Sequence, residues 1–142
     1  MGAAVVVVAS WVGCGGGGPR PVEIVVNEDI CSLCRMAVSE RRFAAEVVTG
    51  EGRVEVFDEI GCLVEWLEGN GRPAEAGTFV VDYGTGEWLA AEGAAYVRSP
   101  ELTTPMGHGI AAFRDRGAAE AARRELGGEV VGWEEVVEEA RR

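Results

Sequence analysis

A unit that occurs twice constrains the fold of this chain more than any other feature. "RRFAAEVV" (41–48), the turn "TGEG" (49–52) and "RVEVF" (53–57) place two strand-forming runs around a glycine-containing turn, which predicts a β-hairpin. "DEIGCLVEWLEG" (58–69) follows at once. Asp58 stands in an N-cap position, Ile60, Leu63, Val64 and Leu67 recur at helical spacing, and Gly69 closes the run, so an amphipathic helix is predicted. The second half supplies strand candidates "TFVVDY" (78–83), "EWLAA" (87–91), "AAYVRS" (94–99) and "IAAF" (110–113), then the Ala-rich helix "GAAEAARRELGG" (117–128). Aligning "VFDEIGCLVEWLE" with "AFRDRGAAEAARR" gives the same order of strand, Phe, polar cap, Gly and helix, with Phe57 and Phe113 each four residues before a Gly. The expected fold class is α+β: two similar ββα units, 22–71 and 78–128, forming one compact globular unit within 22–142. "VEIVVNEDI" (22–30) reads as a strand leading into Cys31, and "WEEVVEEARR" (133–142), with Trp133, Val136, Val137 and Ala140 on one face, as a closing helix.

The first 21 residues follow different rules. "MGAAVVVVASWVGC" is apolar for thirteen residues and then meets Cys14, ahead of "GGGGPRP". That is shorter than the roughly 20 residues a membrane span needs and fits the apolar region of a signal peptide. Val12 and Gly13 are small enough to enter a signal peptidase. The segment therefore resembles a lipoprotein signal with Cys14 as the lipidated residue and residues 1–21 as signal and tether, although no Lys or Arg precedes the apolar run. The expectation is an exported chain held at the membrane by its lipid anchor only. With 13 basic against 24 acidic residues, the net charge is −11, which repels phosphate backbones, so no nucleic-acid partner is expected.

Soft donors dominate the chemistry. "ICSLCRMAV" (30–38) packs Cys31, Cys34 and Met36 into six positions, and a second loop, "TTPMGHG" (103–109), offers Met106 and His108. Zinc is the weaker reading, because there is no second Cys-x-x-Cys and only one His. Thioether sulfur favours Cu(I), and thiolates accept either metal. A redox dithiol normally opens a helix, which "CSLCRMAVSERRF" does not suggest. A thiol–disulfide or structural disulfide protein using Cys31 and Cys34 stays open as the alternative. Each donor also has a plain reading: Met36 as core filler, His108 as a surface residue, Cys62 as a small buried hydrophobe on the helix or a neighbour of the site. No residues form a nucleophile–base–oxyanion arrangement, so an enzyme is not expected.

Taken in order, Cys31-x-x-Cys34-x-Met36, "RRFAAEVV", "VFDEIGCL", "FVVDY…EWLAAEGAAYV" and "TTPMGHGIAAF" resemble the NosL family, the copper-binding accessory lipoproteins of nitrous oxide reductase, over about residues 24–128. The resemblance implies two ββα units and a Cu(I) metallochaperone that delivers copper to assemble the copper centres of nitrous oxide reductase in denitrification. Its partner would be that enzyme or its assembly machinery. It carries the metal role to Cys31, Cys34 and Met36, with Met106 from the Pro-Met-Gly motif. His108 is added from chemistry and position alone. Arg35 stands where the family often has Gly.

Overall fold

The computed structural model describes residues 17–140; the lipoprotein-type segment with Cys14 lies outside them. The expected hairpin forms from β1 (Ala45–Val48) and β2 (Val54–Phe57), in register from Val48 opposite Val54 to Ala45 opposite Phe57. β3 (Gly77–Val81) pairs antiparallel with β1 on its other side, and β4 (Trp88–Ala90) with β3, giving a four-stranded sheet in the order β2-β1-β3-β4. α1 (Ile60–Asn70) lies between β2 and β3 in sequence. A second antiparallel sheet, β6-β5-β7, is built from β5 (Ala95–Arg98), β6 (Ile110–Phe113) and β7 (Glu129–Val131). α2 (Arg116–Leu126) follows β6, and α3 (Trp133–Ala140) closes the chain.

The two ββα units match at the backbone. A short 3-10 turn, Arg41–Phe43 or Ala91–Gly93, introduces the first strand of each. Phe57 and Phe113 end the second strands, and each helix begins three residues later. The residues before the helices, Glu59 and Asp115, share nearly the same extended conformation, φ −151° and ψ 168° against φ −153° and ψ 168°. The sheets meet where Asp82 bridges Ala112: Tyr83 N donates to Ala112 O (2.8 Å), and Arg114 N to Asp82 Oδ2 (2.9 Å). One core runs through both units, with Phe57, Ile60, Leu63 and Val80 from the first packed with Tyr96, Ala112 and Val136 from the second. Burial of such side chains is the main force holding the units together.

Four expectations change. The second unit does not begin at 78: β3 and β4 complete the first sheet by pairing with β1, and the second ββα unit starts with β5. Residues 22–30 make no strand: Val22 N donates to the buried Glu46 side chain (2.9 Å), and Asp29 N turns back to Val25 O (3.0 Å). The alternation does bury Ile24 against the outer face of the first sheet while Val22 and Val25 stay exposed, but side-chain and turn bonds replace a ladder. Asp58 does not cap α1; its carboxylate accepts from Ser39 N (2.9 Å) and Ser39 Oγ (3.2 Å), and Glu59 takes the position before the helix. β7 was not expected from the sequence.

Candidate metal centre

The thiols are brought together by a miniature hairpin and a helix start. Ile30 bridges Ala37, and Cys31 N donates to Met36 O (2.8 Å), so residues 31–36 form a closed turn with Cys31 and Met36 opposite each other. Arg35 N donates to Cys31 O (3.1 Å) inside this turn. Arg35 sits at φ 66°, the left-handed region that glycine enters without penalty, which gives a physical reason for Gly at this place. The turn is pinned to β2 by Ser32 N donating to Val56 O (2.8 Å) and Ser32 Oγ to Glu55 Oε2 (2.7 Å). β2 then runs into α1, whose first turn carries Cys62.

As a result the Sγ atoms of Cys31, Cys34 and Cys62 all lie within 4.8 Å of one another. All three are free thiols. Cys31 and Cys62 are buried and Cys34 is half-buried, so the cluster opens to solvent on one side only. The electrostatics are unequal. The Cys62 thiol donates to Cys31 and pulls its pKa down to about 5; burial opposes this, and the backbone N–H groups of Asp58, Cys34 and Leu33 assist it. Burial pushes Cys34 up, and Cys62 is pushed strongly up because its proton is held by the Cys31 sulfur. At neutral pH the cluster is one buried thiolate hydrogen-bonded by a neighbouring thiol, with a third thiol at the entrance. A thiolate is the form that binds metal. Three sulfurs at this spacing suit a soft ion of low coordination number better than a hard cation that needs oxygen.

The loop residues behave differently. Met36 and Met106 are exposed, at 58% and 43%. Met106 N donates to Glu59 Oε2 (2.7 Å), and His108 N to Glu59 Oε1 (3.2 Å). The His108 ring is held at both nitrogens, Nδ1 by Glu59 and Nε2 by Glu65 (2.9 Å). The Glu59 contact, with help from Glu65, raises its pKa to about 9 against the opposing effect of burial. His108 is therefore an imidazolium at neutral pH and has no lone pair to offer. Glu59 itself is buried; burial disfavours its charge, but the His108 ring, Met106 N–H and Thr104 outweigh that and hold its carboxyl below the usual range. The Met106 loop is thus latched to the helix start that carries Cys62. Sequence reasoning kept Cys62 as a neighbour and missed Glu59, whose position just before the helix was the available signal.

Among the described residues no helix is long and apolar enough to cross a membrane. The search of curated proteins returned no match. The fold matches the crystal structure of the copper chaperone NosL from Shewanella denitrificans with a TM-score of 0.70 and 22% identity, covering 82% of this chain and 96% of that one. At that identity the likeness speaks for the fold. The family model of NosL matches residues 21–141, nearly the whole described structure. This chain belongs to the NosL family.

Proposed function

We propose that this protein is a Cu(I) carrier, with copper as its cargo and Cys31, Cys34 and Cys62 as the sulfur core that holds it. The observation that carries the reading is the convergence of three thiol sulfurs within 4.8 Å at a site open on one side. Its solved relative in Shewanella denitrificans is described as a copper chaperone, which agrees. Cys31 supplies a ready thiolate. Cys62 and Cys34 lose their protons as the metal arrives, so binding releases protons and tightens as pH rises. In this reading Met36, opposite Cys31 in the closed turn, and Met106, on the latched loop, are the thioethers that complete or cover the ion. His108 joins only by giving up Glu59, Glu65 and a proton.

Release follows from ligand exchange. Cu(I) has no fixed coordination geometry to defend, and an incoming ligand at half-exposed Cys34 can bind before the buried sulfurs let go. The recipient is nitrous oxide reductase or its assembly machinery. Residues 1–21 serve as lipoprotein signal and tether, lipidated at Cys14, with the copper-binding domain at 22–142 on the extracytoplasmic side. This division agrees with the family match, which begins at residue 21.

The test is an anaerobic Cu(I) titration of the reduced full chain carrying Cys14→Ser, in competition with a chromophoric chelator. One ion per chain is expected. Cys31→Ser should weaken binding by more than the roughly 10–100-fold typical of losing an outer partner. Met106→Leu, which keeps the volume, should weaken it less. Absence of binding would overturn the carrier reading.

A further inference from the structure

The turn that carries the thiols holds one residue the metal site leaves unused. Arg35 lies between Cys34 and Met36 at φ 66°, where a Cβ crowds the following carbonyl. Among the described residues two other non-glycine residues have positive φ: Asn27, a type that tolerates it, and Glu75, on the loop before β3. Strain kept beside a reactive cluster points to a use for the side chain. Its charge is also unspent. Arg35 is exposed and, like Arg20 and Arg124, has no ion pair among the described residues, but it alone of these three lies in the turn that carries the thiols. In a chain of net charge −11 this is a local positive spot at the mouth of the site. Exposed Met36 follows Arg35, Ile30 is exposed at the base of the same turn where it bridges Ala37, and Cys34 is the one thiol of the three that reaches the surface.

We infer that Arg35 selects the copper acceptor: it draws a protein surface whose copper ligands are rimmed by carboxylates onto Cys34, with Ile30 and Met36 as the apolar contact. The inference rests on the Cu(I)-carrier reading. The rest of the chain repels such an acceptor at long range, and Arg35 supplies the short-range attraction that orients it. In the exchange step an acceptor ligand bonds to Cu(I) as the bond from copper to the Cys34 sulfur breaks. Copper stays Cu(I), no electron moves, and the released thiolate takes a proton from water. Arg35 does not act by setting the thiolate, since the Cys31 proton is governed first by Cys62.

The experiment measures stopped-flow transfer of Cu(I) from the loaded full chain to two probes, anionic bathocuproine disulfonate and uncharged neocuproine. Copper affinity is determined first on the same samples. Arg35→Glu should leave affinity within about twofold, yet slow transfer to the anionic probe about tenfold at low salt, an effect that shrinks as salt rises. Transfer to neocuproine should not change, and Arg35→Lys should retain most of the rate. Arg35→Gly should show the same loss of charge preference without melting lower, because glycine adopts this backbone freely. Equal rates for Arg35→Glu and the parent, or equal slowing with both probes, would overturn the inference while leaving the carrier reading intact. A parent chain that takes up no copper would sink the carrier reading and this inference with it.

Discussion

The two ββα units share a backbone and differ in what they do with it. At the second unit's helix start, Asp115 caps α2 in the ordinary way, its Oδ1 accepting from Ala118 N (2.8 Å), and α2 buries little besides Ala119. In the first unit the equivalent Glu59 makes no cap to its own helix. It reaches across to Met106 and His108 on the second unit's loop, and α1 buries every residue from Ile60 to Val64. The position of Cys62 corresponds to Ala118. One copy is a plain scaffold element, and the other uses its carboxylate to tie a loop to the helix start that carries Cys62. A repeated fold supplies two equal platforms, and the chemistry was installed on one.

The sharpest way to break this contrast is to remove both carboxylates. Glu59→Ala strips the latch of its acceptor and leaves His108, which is partly exposed, with Glu65 alone; losing charge-assisted hydrogen bonds of this kind should cost about 2–3 kcal/mol. Asp115→Ala loses a single cap and should cost about 1 kcal/mol. Chemical denaturation of the two variants side by side would show whether the difference is that large.

A second contrast lies in the sheets. Glu46 on β1 and Tyr96 on β5 occupy matching positions, and both are buried. Burial raises the Glu46 carboxyl to about 7, with Val22 N–H as its hydrogen-bond donor. Because this pKa is raised on folding from about 4.5, the stability it contributes is complete below pH 4.5 and is lost as pH rises through 7. Glu46→Gln should remove up to about 3 kcal/mol of that pH dependence, read as denaturation midpoints at pH 5 and pH 8. Tyr96→Phe breaks the bond from its hydroxyl to Ala91 O (2.7 Å) and should cost about 1 kcal/mol equally at both pH values.

The paired helix glycines sharpen the comparison further. A Cβ on Gly61 would fall 2.0 Å from the His108 ring, whereas on Gly117 its nearest neighbour is Asp115 Oδ1 at 3.3 Å. Gly61→Ala should expel the ring and cost about 2 kcal/mol. Gly117→Ala should be neutral or stabilising by up to about 1 kcal/mol, since alanine favours the helix. NMR titration of His108 would check the mechanism: its high pKa should fall toward the ordinary value in Gly61→Ala alone.

Much of the scaffold was legible because short-range rules govern it. Runs such as "AEVV" and "VEVF" around a glycine turn specify a hairpin, and Ile60, Leu63, Val64 and Leu67 specify a buried helix face. Residues 22–30 misled because their alternation reflects burial of Ile24 against a sheet face, which looks the same in sequence as pairing at an edge. β7 escaped because Glu129–Val131 is too short for periodicity and is hemmed by Gly127, Gly128 and Gly132. At the site, Cys31 and Cys34 were visible from spacing, and their exit from a strand was the wrong reason for the right loop. That Cys62 joins them depends on how the hairpin delivers α1, which no local pattern records. The His108 latch depends on a contact between residues 49 apart.

X-ray absorption at the copper edge of the Cu(I)-loaded chain, beside Cys62→Ser, would show whether the three-thiol cluster holds the ion. The parent should show a sulfur-dominated shell, and the variant should lose one sulfur scatterer from it. A sulfur shell that Cys62→Ser leaves untouched would contradict that, because the three-thiol cluster would then not be what holds the ion.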